Sequence, residues 1–97
     1  MIELKTEQLS VQFQTFGGAL SSIKDKDGIE YLWQGDPTYW SGQAPVLFPI
    51  CGSVRNDTVL YDQEDGSQVK GKIPRHGLVR KKEFTLVEQT DNSVTFA

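Results

Sequence analysis

The chain has 97 residues, of which 37% are hydrophobic, and its net charge is −3. This length limits the chain to one domain, and the hydrophobic fraction is high enough for it to fold. The acidic balance, with a pI near 5.0, argues against a nucleic-acid binder, which normally carries a basic excess.

The cysteine count and the lack of long apolar runs restrict location and metal chemistry. A single cysteine, Cys51, cannot form an internal disulfide and suits a reducing compartment, so we expect a cytoplasmic protein. No apolar run approaches the roughly 18 residues of a membrane span, and residues 1–5 do not resemble a signal peptide. One cysteine and one histidine cannot build a closed zinc site, so no metal site is predicted.

The first half of the chain predicts strands, because apolar and polar residues alternate with a period of two. Residues 9–14 predict a strand with three apolar side chains on one face, and the glycines at 17–18 predict a bend. Residues 19–24 and 29–33 predict a hairpin around a turn at residues 25–28. No segment has a helical apolar stripe.

Residues 44–52 form a continuous apolar run with prolines near both ends. We predict that this run is buried on both faces but lies outside a regular sheet ladder. Further predicted extended segments follow at 58–62, 68–73, 84–88 and 94–97. The last segment ends four residues into a hairpin's second strand, so we expect the chain to be a truncated piece of a larger fold.

The only histidine, His76, is the first candidate for chemistry. Imidazole titrates near neutrality and can donate or accept a proton. Pro74 and Gly77 predict a tight local backbone that would hold the ring at the mouth of a sheet. The alternative is a loop histidine without a chemical role, because one His-Gly pair is a weak signal.

Three arginines and one tryptophan are candidates for binding a substrate. The guanidinium groups of Arg55, Arg75 and Arg80 can bind hydroxyl, carboxylate or phosphate groups, although surface ion pairing is the alternative for each. Trp40 lies in a turn-rich stretch where its ring could stack on a sugar face. For Trp33, packing against the sheet is the better interpretation.

Several motifs, taken in order, resemble the N-terminal part of the aldose 1-epimerase (galactose mutarotase-like) family. The resemblance covers essentially the whole chain and is greatest to the bacterial branch encoded with lactose and tagatose utilisation genes. The motifs are FGGALSSI at 16–23, YLW at 31–33, APVLFPICG at 44–52, GSVRND at 52–57 and PRHGLVR at 74–80.

The resemblance implies an all-β fold, an antiparallel β-sandwich in which residues 1–97 are the N-terminal part of a mutarotase-like supersandwich. It implies an isomerase that interconverts the α and β anomers of a hexose such as galactose without a cofactor. Family members are roughly three times this length.

The family's site residues carry over unequally. His76 matches the first active-site histidine, which binds and orients the sugar. Arg55 lies near the substrate-binding arginine, although the commoner pattern has arginine where this chain has Ser53. Arg80 matches an arginine near the phosphate in hexose-6-phosphate relatives. The acid histidine and base glutamate of the family lie beyond residue 97.

We therefore expect a sugar-binding portion of an aldose 1-epimerase-like enzyme that is inactive by itself. An epimerase of a hexose phosphate and a non-catalytic carbohydrate-binding module are the alternatives. We also expect self-association through exposed sheet edges, because a severed sheet leaves backbone groups unpaired.

Overall fold

The computed structural model describes all residues, 1–97. It contains seven β-strands in three antiparallel sheets, with the orders β1-β2-β3, β4-β5 and β6-β7. The strands are β1 (Ile2–Lys5), β2 (Leu9–Gln14), β3 (Ala19–Asp25), β4 (Thr58–Asp62), β5 (Gln68–Lys72), β6 (Leu86–Gln89) and β7 (Val94–Phe96).

Helical structure is confined to two single turns of 3₁₀ helix, at Arg55–Asp57 and Val79–Lys81. No helix has the length and apolar character needed to cross a lipid bilayer. The prediction of an all-β antiparallel fold is therefore confirmed. Strand β1 was not predicted, because four residues carry too short a pattern to identify by themselves.

The three-stranded sheet places its apolar side chains on one face. Ile2 pairs with Phe13 and Leu4 pairs with Val11, so these four side chains lie on the same side. Between β2 and β3 the register shifts, and Ser21 has no pairing partner on β2. Such a bulge re-aims the local backbone, and the Ser21 carbonyl is used elsewhere in the fold.

The predicted third strand over residues 29–33 is wrong. This segment forms only one isolated bridge, between Lys24 and Glu30. The Glu30 carboxylate accepts the backbone N–H groups of Ile23, at 2.7 Å, and Leu32, at 3.1 Å, and also the Ser22 hydroxyl. Backbone hydrogen bonds from Asp25 to Ile29 and from Tyr31 to Ile23 flank this bridge, and beyond them the side chain takes the place of a neighbouring strand. These hydrogen bonds hold the pKa of Glu30 below its usual range, and the bond from the Ser22 hydroxyl has the largest effect.

The apolar run over residues 44–52 lies outside a regular ladder, as predicted. Its residues pair only through two isolated bridges, Leu20 with Ala44 and Phe48 with Gly77. The prediction that the run is buried on both faces is wrong, because Val46 and Phe48 are 42% and 61% exposed. No second layer of the chain covers them.

The chain is a flat slab of 55 × 35 × 17 Å. Only two apolar residues, Ala19 and Ile73, are buried, and Ile73 is the single large side chain that is fully enclosed. The β1–β3 sheet and the β6–β7 sheet meet through the Phe13 and Phe96 rings, whose centroids are 6.0 Å apart. The sheets and loops therefore present most of their side chains to the outside.

Candidate functional site

Two loops, residues 48–57 and residues 73–78, lie side by side and carry the candidate histidine. Their backbones are joined by three hydrogen bonds that fix the spacing between them. The N–H groups of Ile73, His76 and Leu78 donate to the carbonyl oxygens of Asp57, Gly52 and Phe48, at 2.8, 2.7 and 2.8 Å.

The His76 side chain is held by the same pair of loops. Its Nδ1 accepts the backbone N–H of Gly52 at 2.9 Å, while the backbone N–H of His76 donates to the Gly52 carbonyl. An acceptor nitrogen carries no proton, so the neutral ring must carry its proton on Nε2. Nε2 has no hydrogen-bond partner in the protein. The ring is thus oriented with one N–H donor available to a bound molecule.

The backbone around His76 is unusual. His76 has φ 65 and Gly77 has φ 79, both in the left-handed region, and Asn56 and Asp57 on the facing loop have φ 55 and φ 51. Sparsely populated backbone conformations of this kind cluster at binding and catalytic sites. A Cβ added to Gly77 would overlap the Phe48 carbonyl oxygen, so the loops can approach this closely only with glycine there.

A cleft of about 380 Å³ lies beside the β1–β3 sheet. It brings together two of the predicted substrate-binding residues, Trp40 and Arg80. An aromatic ring next to a guanidinium and two amide side chains suits a polar ligand with an apolar face. Its larger lining side chains are Gln14, Phe16, Trp40, Gln43, Arg80 and Lys81.

The segment that carries Trp40 is tied to β3 by side-chain amides. Nε2 of Gln43 donates to the Ser21 and Trp33 carbonyl oxygens, at 2.9 and 3.0 Å, and Nε2 of Gln34 also donates to the Ser21 carbonyl, at 2.9 Å. The Trp33 indole N–H donates to the Trp40 carbonyl at 2.8 Å. The bulge residue Ser21 therefore anchors the aromatic wall of the cleft.

Arg80 lies in the second 3₁₀ turn, and its Nη2 donates to the Arg75 carbonyl at 3.3 Å. Gly17 packs against this turn, because a Cβ at Gly17 would lie 3.0 Å from the Arg80 carbonyl oxygen. Arg75 thus contacts the cleft residue through its backbone. Neither Arg75 nor Arg55 nor His76 lines the cleft itself, so two of the five candidates share the cleft and His76 lies on the neighbouring loop pair.

Several residues with a part in this region were not identified from the sequence. Gly52 positions His76 through its backbone N–H, which no residue pattern reveals. Gln43 combines a cleft position with two anchoring hydrogen bonds. For Phe16 a signal exists, because it begins the motif over residues 16–23. That motif predicts a strand and a bend and contributes to the family resemblance, but it does not assign Phe16 to a cleft.

Comparison with known proteins identifies relatives along the whole chain. The family model for aldose 1-epimerase matches residues 1–97. The chain is 66% identical over 96 residues to the chromosomal protein LacX of Lactococcus lactis subsp. lactis and 65% identical to the plasmid form. Each alignment covers 99% of this chain and 32% of the relative.

Two solved structures are also similar to nearly the whole chain. A galactose mutarotase-like protein from Lactobacillus casei superposes with a TM-score of 0.81 at 30% identity, over 99% of this chain and 31% of that one. A galactose mutarotase related enzyme from Lactobacillus acidophilus superposes with a TM-score of 0.83 at 29% identity, over 98% of this chain and 30% of that one. The chain spans about a third of the length of the relatives it matches.

Proposed function

We propose, because the chain belongs to the aldose 1-epimerase family, that it supplies part of the sugar site of an isomerase that interconverts the α and β anomers of a hexose. The observation that carries the proposal is the His76 imidazole. It is fixed by Gly52 at Nδ1, and its Nε2 N–H is left to donate.

The proposed role of His76 follows from this tautomer. An N–H donor aimed at the ring oxygen of a pyranose withdraws electron density from the bond between that oxygen and C1, which must break for the ring to open. A base then takes the proton of the anomeric hydroxyl, and an acid protonates the ring oxygen. After rotation about C1–C2, the reverse steps close the ring to the other anomer.

The acid histidine and base glutamate expected from the family have no counterpart among residues 1–97. Each such group typically contributes about 10²–10⁴ in rate. We therefore propose that the 97-residue chain by itself does not accelerate mutarotation. Polarimetry of freshly dissolved α-glucose or α-galactose checks this, and a rate clearly above buffer would overturn it.

The catalytic proposal is tested in a fusion of residues 1–97 to the part of chromosomal LacX that follows its matched region, called here the LacX fusion. We expect it to accelerate mutarotation of an aldohexose and to lose that activity when His76 is replaced. An active fusion that is indifferent to His76 would contradict the role given to this residue. A folded fusion that binds sugar without mutarotation would favour the carbohydrate-binding alternative.

A phosphorylated hexose is the second candidate substrate, and the composition of the cleft favours it. Arg80 and Lys81 both line the cleft, and the one hydrogen bond of the Arg80 side chain within the protein goes to a neutral carbonyl. Two cations in one cleft suit a phosphate dianion. Inhibition of the LacX fusion by inorganic phosphate, relieved in Arg80→Gln, would distinguish this substrate from a free hexose.

The remaining expectations concern the chain in the cell and in solution. The exposed free thiol of Cys51 fits the reducing cytoplasm, where we place the protein. Exposed strand edges and apolar side chains lead us to expect that the isolated chain self-associates.

A further inference from the structure

The accessible surface of this chain is too large for its mass. It measures 7313 Å², whereas a compact monomer of 10.9 kDa exposes about 5,600 Å². The radius of gyration is 17.3 Å, against about 12.5 Å for a compact domain of this length. The excess of roughly 1,700 Å² is about twice what one partner contributes to a standard protein interface.

Part of the excess lies on one face of the β4–β5 sheet, called here the β4–β5 apolar face. Tyr61 and Val69 are directly paired on this face, and they are 43% and 49% exposed. The Tyr61 ring lies over Gly71, which leaves its outer side open. The opposite face carries Lys70 and Lys72, paired with Leu60 and Thr58. A sheet with one polar and one apolar face normally packs its apolar face against another layer.

A second uncovered patch lies on the loop pair that holds His76. Phe48 and Leu78, joined by a backbone hydrogen bond of 2.8 Å, are 61% and 45% exposed. Strand edges are open as well, since β4-β5 and β6-β7 each contain two strands. Isolated two-stranded sheets are marginal in water, and their edges readily take further strands.

We infer that these patches are an interface for the antiparallel β-polypeptide that supplies the two-thirds of the relatives' fold outside the matched region. Nearly all of this chain superposes on about 30% of each solved relative, with TM-scores of 0.81 and 0.83. Its conformation is therefore that of one part of a larger folded unit. The polypeptide outside the match is about twice as long as this chain, enough to cover two separate patches.

A second copy of the chain fits this surface less well. The β4–β5 apolar face and the Phe48–Leu78 patch lie on different elements, and a two-fold contact through one of them leaves the other exposed in both copies. A copy also brings its own excess surface and its own open edges. The inference does not depend on any catalytic role of His76.

The test uses the 97-residue chain as a separate polypeptide. It is co-expressed with the segment of chromosomal LacX that follows the region matched by this chain. The pair is purified through a tag on the LacX segment and analysed by sedimentation. We expect a 1:1 complex in place of the oligomers that we expect of the isolated chain. Recovery of the two polypeptides separately, or of the chain only with copies of itself, would overturn the inference.

A matched pair of substitutions tests the surface itself. Val69→Lys places a charge on the β4–β5 apolar face, and Gln68→Lys places the same charge on the opposite face of the same strand. We expect the first to weaken the complex at least tenfold and the second to leave it unchanged. Equal effects would contradict the assignment of this face. Polarimetry on the complex separates this interface proposal from the catalytic proposal, because a stable complex without mutarotation would contradict only the catalytic proposal.

Discussion

At the scale of single residues, His76 and Gly52 form a reciprocal pair. The His76 backbone N–H donates to the Gly52 carbonyl at 2.7 Å, and the Gly52 backbone N–H donates to His76 Nδ1 at 2.9 Å. One of these bonds sets the backbone of His76 and the other sets its ring. Because Nδ1 accepts in the second bond, the N–H donor of the ring is on Nε2.

Two substitutions of His76 each keep the function of one ring nitrogen, so they separate the anchoring role of Nδ1 from the proposed catalytic role of Nε2. In His76→Asn, the amide oxygen can still accept the Gly52 N–H, and asparagine tolerates the left-handed backbone. We expect the LacX fusion with this change to keep its melting temperature and to lose at least about 10²-fold in mutarotation rate.

His76→Gln is the matched control. Its longer side chain can place an N–H donor near Nε2 but cannot accept from Gly52, so unfolding should become easier by about 1 kcal/mol. Thermal unfolding and polarimetry of both variants provide the measurements. Equal losses of stability in the two variants would show that Nδ1 is not the anchoring atom.

The close approach of the two loops leads to a prediction at Gly77. Gly77→Ala introduces a Cβ into the Phe48 carbonyl oxygen at a residue with φ +79, and we expect it to destabilise the LacX fusion by more than about 3 kcal/mol. Gly66→Ala is the control, because Gly66 has φ +85 with nothing within 4 Å of the added Cβ. Its cost should be about 1 kcal/mol. Similar melting temperatures for both variants would contradict this packing.

At the scale of elements, Glu30 shows how one side chain can end a sheet. Its carboxylate takes up the Ile23 N–H, on the open side of β3, and the Leu32 N–H, on the following segment. Residues 29–33 therefore turn away after one bridge instead of adding a strand. This leads the chain toward Trp33 and Trp40, where the aromatic wall of the cleft is built.

The same contacts make this turn sensitive to acid. Hydrogen bonds from Ser22 and two backbone N–H groups hold the pKa of Glu30 below its ordinary value of 4.5. A lowered pKa in the folded state adds stability above the carboxyl's unfolded pKa, and that stability is lost as pH falls through the folded value. We expect amide exchange at Ile23 and Leu32 in the LacX fusion to accelerate below pH 4.5 relative to distant strands. Glu30→Gln should remove the pH dependence, and a titration that survives this change would contradict the assignment.

The sequence predicts elements whose pattern is local and fails where a distant group decides. The strands at Leu9–Gln14 and Thr58–Asp62 followed from alternation and flanking turns. The strand over residues 29–33 did not form, because the Glu30 carboxylate took up the Ile23 N–H that a continuing strand would have paired. Exposure of residues 44–52 was equally unpredictable, since burial depends on what covers a segment and not on its own composition.

The candidate site likewise contains residues that the sequence identifies and an arrangement that depends on distant contacts. His76 could be identified because it is the only histidine and lies in a motif. Trp40 and Arg80 were proposed separately, and their meeting in one cleft depends on the Gln43 amide and the Ser21 bulge. Residue types predict which chemistry is available. They do not predict which backbone N–H will orient a ring.

At the scale of the whole molecule, the chain has the composition of a globular domain and the shape of one layer. Hydrophobic residues make up 37% of it, yet only Ala19 and Ile73 are buried apolar residues. The hydrophobic effect stabilises a fold only through surface removed from water. Most apolar side chains of this slab remain in contact with water, so its stability depends on what packs against it.

This dependence predicts the behaviour of the isolated chain in solution. Each chain exposes apolar side chains such as Phe48 and Val69, and unpaired β-edges are templates for pairing. We expect sedimentation to show a mass that rises with concentration, together with binding of a dye that reports exposed apolar surface. Covering the same surface should reverse both effects, so addition of the complementary LacX segment should lower the mass toward one complex and reduce dye binding. A monomer at every concentration, with low dye binding, would mean that the slab is stable without a covering layer, which its two buried apolar residues do not support.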